Sequence, residues 1–152
     1  MEILVFETAE KASAFAAEKI IEQISQKPNS LLGMATGGTV VSLYQKIIEA
    51  YQQKKVSFAS ARTVNLDEYV GLSPDNAQSY AYYMYSKLFD HIDLPKENIF
   101  LLDGLWVVDS ELKRFNEFLL QNPIDLQLLG IGTNGHIGFN EPSSQFQLGP
   151  HL

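Results

Sequence analysis

Apolar positions along the chain alternate between short continuous runs and longer stretches spaced at three and four residues. Ile3 to Phe6 predicts a short strand. Ala12, Phe15, Ala16, Ile20 and Ile24 then recur at helical spacing behind Thr8, a side chain suited to an N-cap, and Lys27-Pro28-Asn29 ends that helix. Leu31 to Met34 predicts a buried strand and Thr36-Gly37-Gly38-Thr39 a turn. Val40, Leu43, Tyr44, Ile47, Ile48 and Tyr51 mark the inward face of a second helix. Further along, Thr63 to Leu66 predicts a third strand, residues 76–89 a tyrosine-rich helix opened by Asn76, and Ile99 to Leu102 another strand. Asp109 is placed to cap a helix whose apolar positions are Leu112, Phe115, Leu119 and Leu120, and Ile124 to Ile131 is a last apolar run ending in glycines. Strands alternating with helices predict an α/β fold, three-layered and Rossmann-like, with a mainly parallel sheet and helices on both faces. No repeat or linker interrupts the pattern, so residues 1–152 are expected to form one domain.

Composition narrows the function classes. The chain carries 18 acidic and 11 basic residues, a formal charge of -7, with Arg62 and Arg114 as its arginines. Such a balance repels phosphate polymers and anionic lipid, so neither nucleic acid nor a membrane surface is an expected partner. The absence of cysteine removes disulfides, thiolate nucleophiles and Cys-ligated zinc. The acidic start MEILVFETAEKASAF has no long apolar segment of the secretory type, and no apolar run reaches the roughly 20 residues of a membrane span. A soluble, cytoplasmic chain is the expectation.

Ligands of open parallel sheets collect beyond the carboxyl ends of the strands, and three segments fall in such places. The first is Ala35-Thr36-Gly37-Gly38-Thr39. Its glycines allow close backbone approach, and the helix that follows points free N–H groups outward, an arrangement suited to a phosphate. Val40 stands where a nucleotide-binding P-loop needs lysine, which argues against an NTPase. The alternative reading is a tight strand-to-helix turn capped by Thr39. The second segment is Asn65-Leu66-Asp67-Glu68-Tyr69-Val70-Gly71. Adjacent residues on extended chain point to opposite sides, so Asp67 and Glu68 are not expected to work as a pair; one faces a pocket and the other is structural. A partly desolvated carboxylate at a strand end can act as a general base.

The third segment runs from Gly130 to Pro142 and fits GxGxxG at Gly130, Gly132 and Gly135. The dinucleotide reading fails on context, because Gly138 and Pro142 follow where a helix is required. The glycines instead describe a backbone wound around His136, with Asn134 and Glu141 nearby; histidine is the side chain whose ordinary pKa lies nearest neutrality. No metal site is expected, since His91 and His151 lie far from His136 in sequence and no HExxH-like spacing occurs. The tyrosines Tyr80, Tyr82, Tyr83 and Tyr85 lack the basic surround of a nucleic-acid stacking platform and read as helix packing.

Taken together, ATGGT opening a helix, NLDEYVGL followed by QSYAYYM, and LLGIGTNGHIGFNEP resemble glucosamine-6-phosphate deaminase, in order and interval, from the first strand to Pro142. Related sugar-phosphate lactonases share the fold and a GxGxxGH core but typically continue with Thr-Ala-Ser-Leu-Phe, unlike residues 137–142 here. The resemblance implies conversion of glucosamine 6-phosphate and water to fructose 6-phosphate and ammonia, formally a hydrolysis at a carbon–nitrogen bond, without an organic cofactor. It implies that His136 moves a proton during ring opening, oriented by Asn134 and Glu141, and that Asp67 carries a proton from C2 to C1. Thr36, Gly37, Gly38 and Thr39 would hold the phosphate. Many family members have Asp at the position of Asn134, and an amide can orient the imidazole without balancing a developing positive charge. Family members also continue through further strands and helices that bring an arginine and a lysine to the phosphate, so the chain is expected to lack carboxy-terminal elements of that fold. The competing readings are a 6-phosphogluconolactonase-like hydrolase and a non-catalytic sugar-phosphate-binding module. Homo-oligomerisation is left open by the sequence.

Overall fold

The computed structural model describes residues 2–138, 140–145 and 149–152; Phe139, within the third motif, lies outside them. Four strands, β1 (Leu31–Met34), β2 (Arg62–Asn65), β3 (Ile99–Phe100) and β4 (Leu126–Gln127), form one sheet in the order β3-β2-β1-β4. Every pairing is parallel, with Leu32 opposite both Thr63 and Leu126, and Thr63 opposite Ile99. The helices are α1 (Ala9–Gln26), α2 (Val41–Gln52), α3 (Tyr80–Lys87) and α4 (Val108–Gln121).

Alternation along β1 and β2 divides the core into two layers. Leu32 and Met34 point to the side of α1, α2 and α3, where Ile20, Ile24, Tyr44, Ile47 and Met84 are almost fully buried. Leu31 and Val64 point the other way and pack with Phe115, Phe118 and Leu119 of α4. Helices therefore cover both faces, as the three-layer reading expects. β1 is buried along its whole length because it lies between β2 and β4, which explains its uninterrupted apolar sequence. Thr8 caps α1, its hydroxyl accepting the Lys11 N–H at 3.2 Å, a contact worth about 1 kcal/mol.

Several sequence expectations differ from the structure at their edges. Residues 3–6 are not a strand, and Ile3 and Val5 are largely exposed; among the described residues β3 and β4 form the sheet edges and neither pairs with this segment. The helix expected over 76–89 starts at Tyr80, because Ser79 is its cap and Asn76 instead closes a turn by accepting the Gln78 N–H. Helix α4 begins before Asp109, which sits in its first turn rather than at the cap; Leu120 faces solvent, and Glu111 takes an inward position. Thr39 lies inside a 3-10 turn (Gly38–Val40) and caps nothing. Of the run 124–131, only Leu126 and Gln127 pair in the sheet.

Candidate active site

The strand order sets the place of the site. The chain moves from β1 outward to β2 and β3, then returns to the opposite side of β1 for β4, so β1 and β4 flank a topological switch point. A crevice is expected beyond the carboxyl ends of such strands, between loops that diverge in opposite directions. A cleft of about 120 Å3 lies there, lined by Thr36 from the loop after β1, Asp67 from the loop after β2, and Gly130, His136 and Gly138 from the loop after β4. Tyr80, at the start of α3, forms a further wall. Residues separated by a hundred positions in sequence thus meet across three adjacent strand ends.

The turn after β1 is held by two tyrosines. Tyr44 of α2, fully buried, donates its hydroxyl proton to the Ala35 carbonyl and accepts the Ala35 N–H at 3.3 Å. Tyr83 of α3 donates to the Gly37 carbonyl at 2.6 Å. Gly37 has φ +115°, a left-handed conformation that side chains rarely adopt. An added Cβ at Gly37 or Gly38 would meet nothing within 4 Å, so the backbone of this turn stands uncovered. Thr36 reaches the cleft, whereas Gly37, Gly38 and Thr39 are not among its lining residues.

Asp67 and Glu68, past the end of β2, part company. Asp67 turns into the cleft, where burial, followed by the neighbouring charge of Glu68, pushes its carboxyl up to about 6. Glu68 turns back to the start of α3 and accepts three backbone N–H groups, from Tyr69 at 2.8 Å and from Tyr80 and Ala81 at 2.9 Å. It serves as the anionic cap that the helix N-terminus favours.

The last loop is built around its histidine. The Gly132 N–H donates to the His136 carbonyl at 2.8 Å and the Gly135 N–H to the Gly132 carbonyl at 2.9 Å, closing a tight turn in which Gly135 has φ +91°. Gly132 lies against the imidazole: a Cβ there would sit 2.6 Å from Nε2 and nearer still to Cε1 and Nδ1. The Asn134 Oδ1 lies 2.7 Å from His136 Nδ1 and accepts the His136 N–H at 3.2 Å. Asn134 Nδ2 in turn donates to Glu141 Oε2 at 2.5 Å, and Glu141 Oε1 is 3.7 Å from His136 Nδ1. Asn134 and Glu141 stand behind the histidine and do not line the cleft.

This arrangement offers a carboxylate of raised proton affinity, an oriented imidazole and an uncovered backbone turn around one small space. No lysine or arginine is among the described residues lining it, and no cluster of described residues could hold a metal ion. Among the described residues, no helix is long and apolar enough to cross a membrane. The packing read for Tyr44 and Tyr83 holds, since both meet the core; sequence reasoning missed that their hydroxyls also hold the turn after β1 and that Tyr80 walls the cleft. The available signal was spacing: Tyr80 and Tyr83 are three apart and share a face, whereas Ala81 and Met84 occupy the buried one.

Residues 6–139 match the model of the family described as glucosamine-6-phosphate isomerases/6-phosphogluconolactonase. The chain is 47% identical over 154 residues to the glucosamine-6-phosphate deaminase of Bacillus pumilus, an alignment covering 100% of this chain and 64% of that protein. It is 45% identical to that of Geobacillus sp., covering 100% of this chain and 61% of the relative. The chain thus spans 61% to 64% of the length of these relatives. Among solved structures, a monomeric glucosamine-6-phosphate deaminase matches with a TM-score of 0.91 and 41% identity, over 95% of this chain and 61% of the other. A 6-phosphogluconolactonase from Thermotoga maritima matches with a TM-score of 0.73 at 20% identity, over 88% of this chain and 61% of the other, a likeness of fold alone.

Proposed function

The chain belongs to the glucosamine-6-phosphate isomerase/6-phosphogluconolactonase family, and from that premise we propose that it carries the acid–base centre of an amino-sugar-phosphate deaminase. The observation that carries this reading is the convergence of Asp67, His136 and Thr36 on one cleft at the switch point of the sheet. The reaction converts glucosamine 6-phosphate and water to fructose 6-phosphate and ammonia.

In this reading His136 moves the proton between the anomeric hydroxyl and the ring oxygen as the pyranose opens, its ring held by Asn134 and, through Asn134, by Glu141. Asp67 removes the proton from C2 of the open aldehyde, and the electron pair of the C–H bond forms the C1–C2 double bond as the C1 oxygen gains a proton. Return of a proton from Asp67 to C1 leaves a C2 imine; water adds to C2, and cleavage of the C–N bond gives the ketone and ammonia. C1 and C2 are bonded neighbours, so one carboxylate can serve both. A carboxyl near 6 is suited to accept and return a proton close to neutral pH. The uncovered backbone beyond Thr36 would receive the phosphate on N–H groups.

Incubation with glucosamine 6-phosphate and measurement of ammonia tests the reading. Ammonia release that disappears in Asp67→Asn is the expected result. Hydrolysis of 6-phosphogluconolactone without ammonia release would replace it by the lactonase reading, and fructose 6-phosphate binding without turnover by a binding module.

A further inference from the structure

Tyr80 belongs to two hollows at once. It lines the cleft with Thr36, Asp67 and His136, and it also lines an open hollow with Tyr69, Val70, Leu72 and Gln78. Tyr80 is the one described residue that the two hollows share. The ring packs on Tyr69 with centroids 4.9 Å apart, and the Tyr80 hydroxyl donates to the Tyr69 hydroxyl at 3.3 Å. Thr36 lines the same cleft as Tyr80, and its side chain acts on the Tyr80 hydroxyl as a hydrogen-bonding neighbour. The backbone N–H of Tyr80 is held by Glu68 at 2.9 Å, so the residue following Asp67 fixes the residue that shares its cleft.

We propose that Tyr80 is a positioning residue of this centre: its ring excludes water from the Asp67 carboxylate, and its hydroxyl ties the Thr36 turn to the loop that carries Asp67. The inference rests on reading Asp67 as the base, yet its central claim concerns the surroundings of one carboxylate and can be measured without turnover. The titratable groups lining the same hollows beside Asp67 are Tyr80, Tyr69 and His136, with Glu68, Asp103, Glu111 and His151 on a larger neighbouring cavity that Asp67 also borders. Burial is the largest influence on Asp67 and Glu68 the second. Removing the ring should therefore act mainly through hydration, leaving the charges in place.

The experiment is a carboxyl-carbon NMR titration of Asp67 in the whole chain and in the Tyr80→Phe, Tyr80→Leu and Tyr80→Ala variants, with Asp67→Asn identifying the signal. In the parent chain the midpoint should lie near 6. Tyr80→Phe keeps the ring and should keep the midpoint, whereas Tyr80→Ala should lower it by about one unit or more, a tenfold loss of proton affinity. Tyr80→Leu, a milder opening of the cleft, should shift it in the same direction should the alanine variant not fold. An unchanged midpoint in the leucine or alanine variant overturns the proposal. The hydroxyl is tested by fructose 6-phosphate binding, which Tyr80→Phe should weaken about fivefold through one lost hydrogen bond; an unchanged Kd removes that part. If the parent chain neither releases ammonia nor binds fructose 6-phosphate, the functional reading falls, and the titration still decides for or against Tyr80.

Discussion

Gly132→Ala isolates the packing of a single ring. Gly132 is not among the glycines with positive φ, so alanine fits its backbone and the effect is confined to one methyl group. That methyl would lie 2.6 Å from His136 Nε2 and closer to two other ring atoms, where unbonded heavy atoms prefer about 3.5–4.0 Å. The imidazole must withdraw by about 1 Å, since a side chain yields more readily than the turn behind it. Such a shift stretches the 2.7 Å contact with Asn134 beyond hydrogen-bonding range. The stability cost is about 1 kcal/mol for that bond, a fall of roughly 2–4 °C in Tm for a domain of this size. The effect on chemistry is larger, because a 1 Å misplacement of a proton-transfer group costs on the order of 100-fold in rate. Imidazole nitrogen NMR shifts should report the lost hydrogen bond, and ammonia release should fall accordingly. Gly130→Ala is the matched control, since its added Cβ meets nothing within 4 Å and should change neither readout. Equal damage from both substitutions, or unaltered imidazole shifts in Gly132→Ala, would refute the reasoning.

Substitutions at Glu68, Asp67 and Glu111 probe the carboxylates. Glu68→Ala leaves the N–H groups of Tyr80 and Ala81 without their acceptor and should cost about 1–2 kcal/mol in urea unfolding, with Glu68→Gln losing less. For Asp67 the folded carboxyl lies near 6, above its ordinary range, so between about 4 and 6 the native state binds more protons than the unfolded one and stability falls as pH rises. Asp67→Asn removes that slope; it should abolish ammonia release while gaining at most about 3 kcal/mol at pH 7–8, less after solvent screening. The opposite sign, an Asn variant less stable than the parent at pH 8, would contradict the burial argument. Glu111 is the reverse case: burial alone would raise it, but the Arg114 hydrogen bond, the Asp103 N–H and the Arg114 charge hold it low. Glu111→Ala should destabilise by about 1.5–3 kcal/mol at pH 7. That difference should shrink as pH falls through the depressed Glu111 value, where the parent loses the same interaction.

The elements most legible in the sequence are those whose local pattern and final burial agree. β1 reads as an apolar run because it is central and covered on both faces, and α1 reads from its cap and its 3.6-residue period. The misread segments are those whose structure depends on a neighbour. Residues 3–6 are as apolar as β1, yet an apolar run does not specify a pairing partner. At α3 the cap is shared between Ser79 and the distant Glu68, so a local reading of Asn76 placed the start too early. The same limit applies to the cleft. The Gly130–Glu141 loop announces its histidine through its own glycines, but the part of Tyr80 is visible only once α3 is folded against the loops after β1 and β2.

Asp67 and Glu68 show how adjacent residues of the same chemistry acquire different roles. Asp67 lines the cleft and Glu68 does not, and the difference between them lies in the donors each one meets. Glu68 reaches three backbone N–H groups at the start of a helix, which satisfy its charge and make it part of the scaffold. Asp67 is turned into a space walled by Tyr80 and Leu66, and no described residue donates a hydrogen bond to it in compensation. Uncompensated burial is what lifts its carboxyl to about 6. The same lack of donors leaves its lone pairs available to a carbon-bound proton, whereas a carboxylate already holding three N–H groups would have to surrender them before it could act as a base.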